Sequence, residues 1–196
     1  MARLFQRRES LSDGTEVVVR PIRPDDRESI RGLHARLSPR TRFLRFFAEV
    51  PELSPEILDY LTKLDYVDRY ALVAALDDEI VGVARFDRIS PAVAEVAVVV
   101  QDDLQGRGLG TLLMRRLMSA AKRRGITSFE GDVLPENQVM LELVQGAGGV
   151  VLRPLTEEAI LADLNWPTEP RGPDAFRVHL PLAASPMRKL LRAMAA

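Results

Sequence analysis

The sequence predicts an α+β fold in which a mixed central β-sheet carries helices on both of its faces. The first observation is the order of predicted elements, which runs strand, helices, three strands, helix, strand, helix and two strands. The second is the central segment, where the β-branched run Val93–Val100 is followed by a glycine-rich turn and an amphipathic helix over residues 109–124. The repeated βα units that a doubly wound parallel sheet requires are absent before this segment.

Local signals justify each element in turn. Apolar runs rich in β-branched residues predict strands at residues 17–24, 70–76, 80–86, 93–100, 127–134, 150–152 and 175–182. Apolar residues at helical spacing, with Ser or Pro at several starts, predict helices at residues 24–37, 37–47, 54–64, 109–124 and 137–144. The stretch 37–47 also combines phenylalanines with arginines, so it suits either a packed helix or a wall beside a substrate.

These elements predict one domain over residues 16–183, preceded by a polar extension, residues 1–15, and followed by a basic tail, residues 184–196. The length of 196 residues suits one domain, and an apolar content of 46% suffices for a core. Residues 156–174 are acidic and then rich in Pro and Gly, which predicts a loop. We therefore expect the functional residues within this one domain.

Composition argues against several classes of function. The formal net charge of -1 gives no electrostatic basis for binding nucleic acid. The chain has no cysteine and only two histidines, far apart in the sequence, so we expect neither a disulfide nor a metal site. No apolar run is long enough to cross a membrane, and the N-terminal residues lack the apolar core of a signal peptide. These features predict a cytoplasmic protein that binds neither nucleic acid nor membranes.

The glycine-rich turn before the central helix predicts a phosphate-binding site. A helix start offers unpaired N–H groups and the positive end of the dipole, and Gly106, Gly108 and Gly110 let the backbone approach an anion closely. A Walker loop is excluded because Thr111 has no lysine before it. The G-x-G-x-G spacing also departs from the G-x-G-x-x-G of dinucleotide-binding folds. A tight connection without any ligand is the remaining structural alternative.

The spacing Gln105-x-x-Gly108-x-Gly110 resembles the Q/R-x-x-G-x-G/A motif of the GNAT family of N-acetyltransferases, where this loop holds the pyrophosphate of acetyl-CoA. The resemblance extends over residues 17–182 and implies the GNAT fold. It also implies that the central strand separates from its neighbour, so that free backbone groups contact the pantetheine arm. The cofactor-binding residues that it implies are Val98, Val99, Val100, Gln105, Gly106, Arg107, Gly108, Leu109, Gly110, Thr111 and Asn137.

Glu95 is the residue that we expect to act as a general base. It is the only charged residue between Arg88 and Asp102, and desolvation on a buried strand should raise its pKa. The alternative is a structural ion pair with an arginine such as Arg85. The segment A-E-V-A resembles A-E-I-A in bacterial protein-lysine acetyltransferases, whose glutamate is the general base, and this resemblance favours catalysis.

Asn137 opens the helix after the next strand, where a structural role as helix cap would also explain it. In the GNAT family an asparagine at this place contacts the cofactor, and the segment N-Q-V-M matches the family's N-x-x-A/M pattern. Seven residues later many relatives carry a tyrosine that protonates the leaving thiolate, whereas this chain has Val144. The resemblance therefore leaves the general acid unassigned.

The resemblance implies direct transfer of the acetyl group of acetyl-CoA to a primary amine, without a metal. Similarity to the protein-lysine subgroup makes a protein lysine the expected acceptor, such as a lysine of an acyl-CoA synthetase. Two alternatives stay open at this point: a small-molecule amine acceptor, and a non-catalytic module that senses acyl-CoA. Binding of coenzyme A does not separate enzyme from sensor, whereas loss of turnover in a Glu95→Gln variant does.

Overall fold

The computed structural model describes residues 6–48, 50–154 and 176–181. The expected loop over residues 156–174 and the expected tail over residues 184–196 lie outside the described residues. The strands of the described part are β1 (Arg7–Ser10), β2 (Glu16–Pro21), β3 (Arg69–Leu76), β4 (Glu79–Ser90), β5 (Val93–Val100), β6 (Ser128–Val133), β7 (Val150–Pro154) and β8 (Phe176–Pro181). Its helices are α1 (Arg27–Arg36), α2 (Pro39–Phe46), α3 (Pro55–Thr62), α4 (Leu109–Lys122) and α5 (Gln138–Gly146).

The described strands form one eight-stranded sheet in the order β1-β2-β3-β4-β5-β6-β8-β7. β5 and β6 pair in parallel, and every other neighbouring pair in this order is antiparallel. The parallel pair requires a crossover connection, and α4 provides it. The sheet is therefore mixed, and the predicted α+β class with helices on both faces is confirmed.

Two apolar cores lie on opposite faces of the sheet. One packs α4 against the central strands and includes Leu113 and Phe86, both fully buried. The other packs α1 and α3 against the opposite face and includes the fully buried Leu58. The side chains of β5 alternate between the two, because Val100 belongs to the α4 core and Val99 packs against the other. β5, like β3 and β4, thus contributes side chains to both cores.

Serine caps fix the starts of α2 and α3. The hydroxyl of Ser38 accepts a hydrogen bond from the N–H of Thr41 (3.1 Å), and the hydroxyl of Ser54 accepts one from the N–H of Ile57 (3.3 Å). Proline occupies the first helical turn in both cases, where its missing N–H costs nothing. The predicted start of the third helix at Ser54 is thereby confirmed.

The structure adds a strand that the sequence analysis does not predict. β1 lies within residues 1–15, the stretch expected to be a polar extension, and pairs with β2 at the edge of the sheet. Its sequence is Arg-Arg-Glu-Ser, and an edge strand whose side chains are mostly exposed needs no apolar alternation. β4 also continues beyond the predicted strand at residues 80–86 and reaches Ser90, because Asp87 and Arg88 still pair with β5.

Candidate active site

β5 separates from β6 partway along its length. It pairs with β4 from end to end, but with β6 only through Val93, Ala94 and Glu95. Beyond Glu95, residues 96–100 have no pairing partner on β6 in the part of the chain that the structure describes. The two strands therefore enclose a wedge whose apex lies at Glu95, with backbone groups of β5 facing into it. This is the separation that the family resemblance implies.

The glycine turn connects the end of β5 to the start of α4. Gly106 and Gly108 have positive φ angles of 72° and 86°, a region that favours glycine. Gly108 is the N-cap of α4 and has no side chain that could accept a hydrogen bond from the N–H groups of the first turn. Gln105 donates a hydrogen bond from Nε2 to the carbonyl of Val100 (3.0 Å), which ties the turn to the strand. The uncapped N–H groups and the helix dipole suit a phosphate.

A groove of about 400 Å³ runs along β5, bordered by α2, the glycine turn and the start of α5. A space of this size is typical of sites for small molecules and cofactors. The groove brings together residues that are far apart in the sequence. Among the predicted cofactor-binding residues, those that line it are Val98, Val99, Val100, Gln105, Gly106, Gly110 and Asn137.

The other four predicted cofactor-binding residues do not line the groove. Leu109 is buried in the core beneath α4, and the side chain of Thr111 is exposed. The guanidinium of Arg107 forms an ion pair with Asp13, in the turn between β1 and β2, at 3.1 Å. Gly108 contributes its backbone conformation as the N-cap. A role for these four positions in binding the cofactor therefore stays a prediction, with their backbone forming part of the turn.

α2 forms a wall of the groove, which the sequence analysis offers only as one of two alternatives for this stretch. Asp102, just after β5, accepts hydrogen bonds from the hydroxyls of Ser38 (2.6 Å) and Thr41 (2.7 Å) and so ties α2 to the end of β5. Burial raises the pKa of Asp102, but these hydrogen bonds outweigh it and hold the pKa below its ordinary value. The residues of α2 that line the groove are Arg40, Thr41, Leu44 and Arg45.

Asn137 is the N-cap of α5, and Val144 lies within that helix. The side-chain oxygen of Asn137 accepts a hydrogen bond from the N–H of Met140 (3.2 Å), so this residue caps the helix as well as lining the groove. Val144 is fully buried and packs with Val133 and Leu141. The position where many relatives carry a tyrosine therefore holds an apolar side chain without a proton to donate.

Glu95 lies at the apex of the wedge, on the face of the sheet opposite α4. It is half-buried and stands in register with Asp87 of β4 and Glu130 of β6, although it does not line the groove itself. Arg85, the alternative partner for Glu95, forms a two-point ion pair with Asp87 at 3.0 and 2.9 Å. Asp87 also accepts a hydrogen bond from Nε of Arg69 (3.0 Å). The carboxylate of Asp87 thus binds the guanidinium groups of both Arg69 and Arg85.

Arginines surround this face of the sheet. The ring of Tyr60 lies 3.8 Å from the guanidinium of Arg69 and 4.8 Å from that of Arg85, distances at which a cation interacts with an aromatic ring. Burial, together with the charge of Arg85, lowers the pKa of Arg45 to about 10, although the nearby carboxylate of Glu95 raises it. Arg45 is therefore the residue that links the groove to the surroundings of Glu95.

Two kinds of feature are missing from the residues that the structure describes. No group of three or more His, Asp or Glu side chains in that part of the chain is arranged to hold a metal ion. In the same ranges, none of the helices combines the length and the apolar character that crossing a membrane requires.

Comparison with known proteins identifies the family. The sequence pattern of the Acetyltransferase (GNAT) family matches residues 38–148. The chain is 40% identical over 147 residues to the acetyltransferase PA5475 of Pseudomonas aeruginosa, covering 72% of this chain and 79% of that protein. It is 34% identical over 140 residues to the acetyltransferase Pat of Mycolicibacterium smegmatis, covering 69% of this chain but only 41% of the relative.

A solved structure gives the same result. The crystal structure of the GNAT domain of S. lividans PAT has a TM-score of 0.79 to this chain and 30% sequence identity. The superposition covers 90% of this chain and 96% of that domain, so the likeness includes the sheet and the helices on both of its faces. The predicted resemblance is confirmed. The chain belongs to the GNAT family of acetyltransferases.

Proposed function

We propose that this chain transfers the acetyl group of acetyl-CoA directly to the amine of a protein lysine, with Glu95 as the general base. Membership of the GNAT family makes the chain an acetyltransferase that uses acetyl-CoA, so the proposal concerns the acceptor and the base. The observation that carries it is the position of Glu95 at the apex of the wedge, beside a groove lined by the glycine turn.

The groove has the features that coenzyme A requires. The uncapped N–H groups at the start of α4 suit the pyrophosphate. Residues 96–100 of β5 offer backbone groups without a partner on β6, within the described chain, to the amide-rich pantetheine arm. The groove-lining residues of β5 and the turn, together with Asn137, are those that we propose to hold the cofactor. When bound, acetyl-CoA supplies an activated thioester, so the chain needs no nucleophile of its own.

Glu95 is the proposed acceptor of the amine proton. A lysine amine is protonated at neutral pH and must lose a proton before it attacks a carbonyl carbon. In the proposed transfer the C–N bond of the amide forms, the C–S bond of the thioester breaks, and the amine proton passes to Glu95 directly or through water. The nitrogen loses a second proton as the amide forms, and because Val144 has no proton to give, we propose that this second proton reaches the leaving thiolate through water.

The carboxylates on the β6 side of Glu95 support a cationic acceptor, because Arg85 lies on its β4 side and Arg45 on α2. Glu130 stands next to Glu95 in the sheet, and strand alternation places Asp132 on the same face. Carboxylates on this face attract a lysine ammonium and raise its local concentration. The resemblance to bacterial protein-lysine acetyltransferases supports the same acceptor, and it makes a lysine of an acyl-CoA synthetase the first protein substrate to test.

The experiment compares Glu95→Gln with Glu130→Gln, which removes the same charge from the neighbouring strand. Acetyl-CoA binding is measured by calorimetry, and turnover by thiol release with lysine peptides, with acyl-CoA synthetases and with small amines. We expect Glu95→Gln to bind acetyl-CoA as the wild type does but to lose kcat by roughly 100- to 10,000-fold, the usual contribution of a general base. Glu130→Gln should mainly raise KM, because its charge attracts the acceptor without taking its proton.

Each contrary result has a definite meaning. A kcat for Glu95→Gln within a few-fold of the wild type would remove Glu95 as the base. Release of thiol with small amines alone would replace the protein acceptor by a small-molecule acceptor. Stabilisation of the protein by acetyl-CoA without thiol release from any acceptor in the panel would favour the acyl-CoA sensor.

A further inference from the structure

A second cavity adjoins the groove on the side of Glu95. It lies between strands β4 and β5 and the helices α1, α2 and α3, and has a volume of about 40 Å³. Arg45 and Val99 line both this cavity and the groove, so the two spaces meet at these residues. The rest of its lining is mainly aliphatic, with Arg85 on the sheet side and His34 on the helix side as the other polar residues.

Arg85 brings an unused hydrogen-bond donor to this cavity. Its side chain is only 5% exposed, and its Nε and Nη2 atoms are taken by Asp87. Its Nη1 atom is buried and has no hydrogen-bond partner. Leaving a charged N–H group without an acceptor in the interior is unfavourable, and few native groups are left so. Asp87 also pairs with Arg69, so its carboxylate is shared between the two guanidinium groups.

The second unpartnered atom in the cavity has the opposite character. Nε2 of His34 lies 2.8 Å from the carbonyl of Val50, and this contact requires Nε2 to carry the proton. Nδ1 of the neutral ring then presents a lone pair, and it has no partner. A lone pair repels an anion, so an anionic group in this cavity belongs on the sheet side, next to Arg85, and not on the helix side.

We propose that this cavity binds the far end of an acyl group longer than acetyl, and that the chain accepts coenzyme A thioesters of short dicarboxylic acids, malonyl or succinyl. This inference rests on the proposed function, because it places the thioester in the groove. The free carboxylate of the acyl group accepts a hydrogen bond from Nη1 of Arg85, and the aliphatic lining contacts its methylene groups. Arg45, at the junction, adds a second positive charge.

The size and the position of the cavity fit this class of acyl group. A volume of about 40 Å³ has room for about three water molecules. A carboxylate, with or without one further methylene group, takes up a comparable space, and this is what malonyl and succinyl add to acetyl. Arg85 pairs with Ala97 in the β4–β5 ladder, two residues from Val99. Two residues span about 7 Å along a strand, so the carboxylate site is a short chain away from the junction.

The reaction needs no reactant beyond those already named. The amine attacks the carbonyl carbon of the thioester, the C–N bond forms and the C–S bond breaks. The amine proton leaves as in acetyl transfer, and coenzyme A departs as the thiol. The distal carboxylate takes no part in the chemistry, so the product is an amide that carries a negative charge where the lysine carried a positive one.

The test measures binding and does not depend on finding the acceptor. Malonyl-CoA is compared by calorimetry with isovaleryl-CoA, which has a similar size and the same branching but carries two methyl groups on a tetrahedral carbon in place of the planar carboxylate. Acetyl-CoA and free coenzyme A serve as references. We expect the wild type to bind malonyl-CoA about 10- to 150-fold more tightly than isovaleryl-CoA, the ratio that one hydrogen bond to a charged group provides.

Variants of two arginines locate the source of this ratio. Arg85→Gln should bring the ratio close to one, whereas Arg69→Gln, which removes the other guanidinium bound to Asp87 but does not line the cavity, should preserve it. A wild-type ratio near one, as for a cavity that holds only water, would overturn the inference even if Arg85→Gln fails to fold. If acetyl-CoA and coenzyme A do not bind either, the proposed function fails as well, so the two failures are distinguishable.

Discussion

Substitution by alanine should destabilise the protein at Gly108 but stabilise it at Gly110, the two glycines at the start of α4. Gly108 has a φ of 86° and a ψ of 0°, the left-handed region, and is the N-cap of the helix. Gly110 lies inside the helix, and a methyl group there would lie 3.9 Å from the nearest atoms of Leu143 and Val100, an ordinary contact distance. The motif that this turn resembles has the same asymmetry, because it allows alanine only at the second of these positions.

The magnitudes follow from this geometry. A side chain in the left-handed region costs about 1–2 kcal/mol, so Gly108→Ala should lower the melting temperature by about 2–8 °C in a domain of this size. If the turn relaxes instead, the strain appears on binding, and acetyl-CoA should bind about 5- to 30-fold more weakly. Gly110→Ala removes the entropy that glycine loses in a helix and should raise stability by up to about 1 kcal/mol, with little change in affinity.

Thermal unfolding without ligand measures the strain in the free protein, and calorimetry with acetyl-CoA measures the strain that appears on binding. The free energies of strain from the two measurements on Gly108→Ala should add up to about 1–2 kcal/mol. A Gly108→Ala variant that melts and binds as the wild type does would show that the turn needs no left-handed residue at this position. A Gly110→Ala variant that loses stability would show that the methyl group does not have the space that the structure gives it.

Three further predictions concern stability alone. Burial lowers the pKa of His34, with a smaller opposing effect from the Val50 carbonyl, so the folded state binds fewer protons and stability should fall as pH drops below the ordinary value of about 6.5. Urea midpoints between about pH 7.5 and about pH 5.5 should show a smaller fall in His34→Gln, and equal falls would contradict this assignment. Leu113→Ala should cost about 2–5 kcal/mol, because the side chain is fully buried under α4. A Cβ at Gly82 would lie 3.1 Å from Leu113, so Gly82→Ala should cost less in the Leu113→Ala background, and strict additivity in a double-mutant cycle would argue against that contact.

Local signals in the sequence identify the centre of the site, because this part of the fold is determined by neighbours along the chain. The bounds of β5 coincide with the β-branched run Val93–Val100, and α4 starts at Leu109 as its apolar spacing predicts. The glycine turn between them is short and carries its own conformational signal, positive φ at Gly106 and Gly108. The groove-lining residues of this segment can therefore be predicted from the sequence.

The other parts of the site and of the fold depend on contacts between distant segments, for which a single sequence carries no pattern. Asp102 binds Ser38 and Thr41, which lie more than sixty residues before it, so nothing local indicates that α2 borders the groove. The pairing of Arg85 with Asp87 depends on side-chain geometry, which the sequence does not indicate. β1 depends on β2 for its pairing, so its own polar sequence does not indicate a strand.

The register of β5 connects the fold to the chemistry. Ala94, Val96 and Val100 are buried against α4 and Val98 packs there in part, while Glu95 and Val99 face the other side of the sheet. A shift of one residue would place the Glu95 carboxylate among the leucines of α4 and move a valine to the apex of the wedge. Burying an unpaired carboxylate there would cost several kcal/mol, so the single charge in β5 also helps to fix the register of the strand. The residue proposed to take the proton and the residues that stabilise the sheet are therefore held in place by the same alternation.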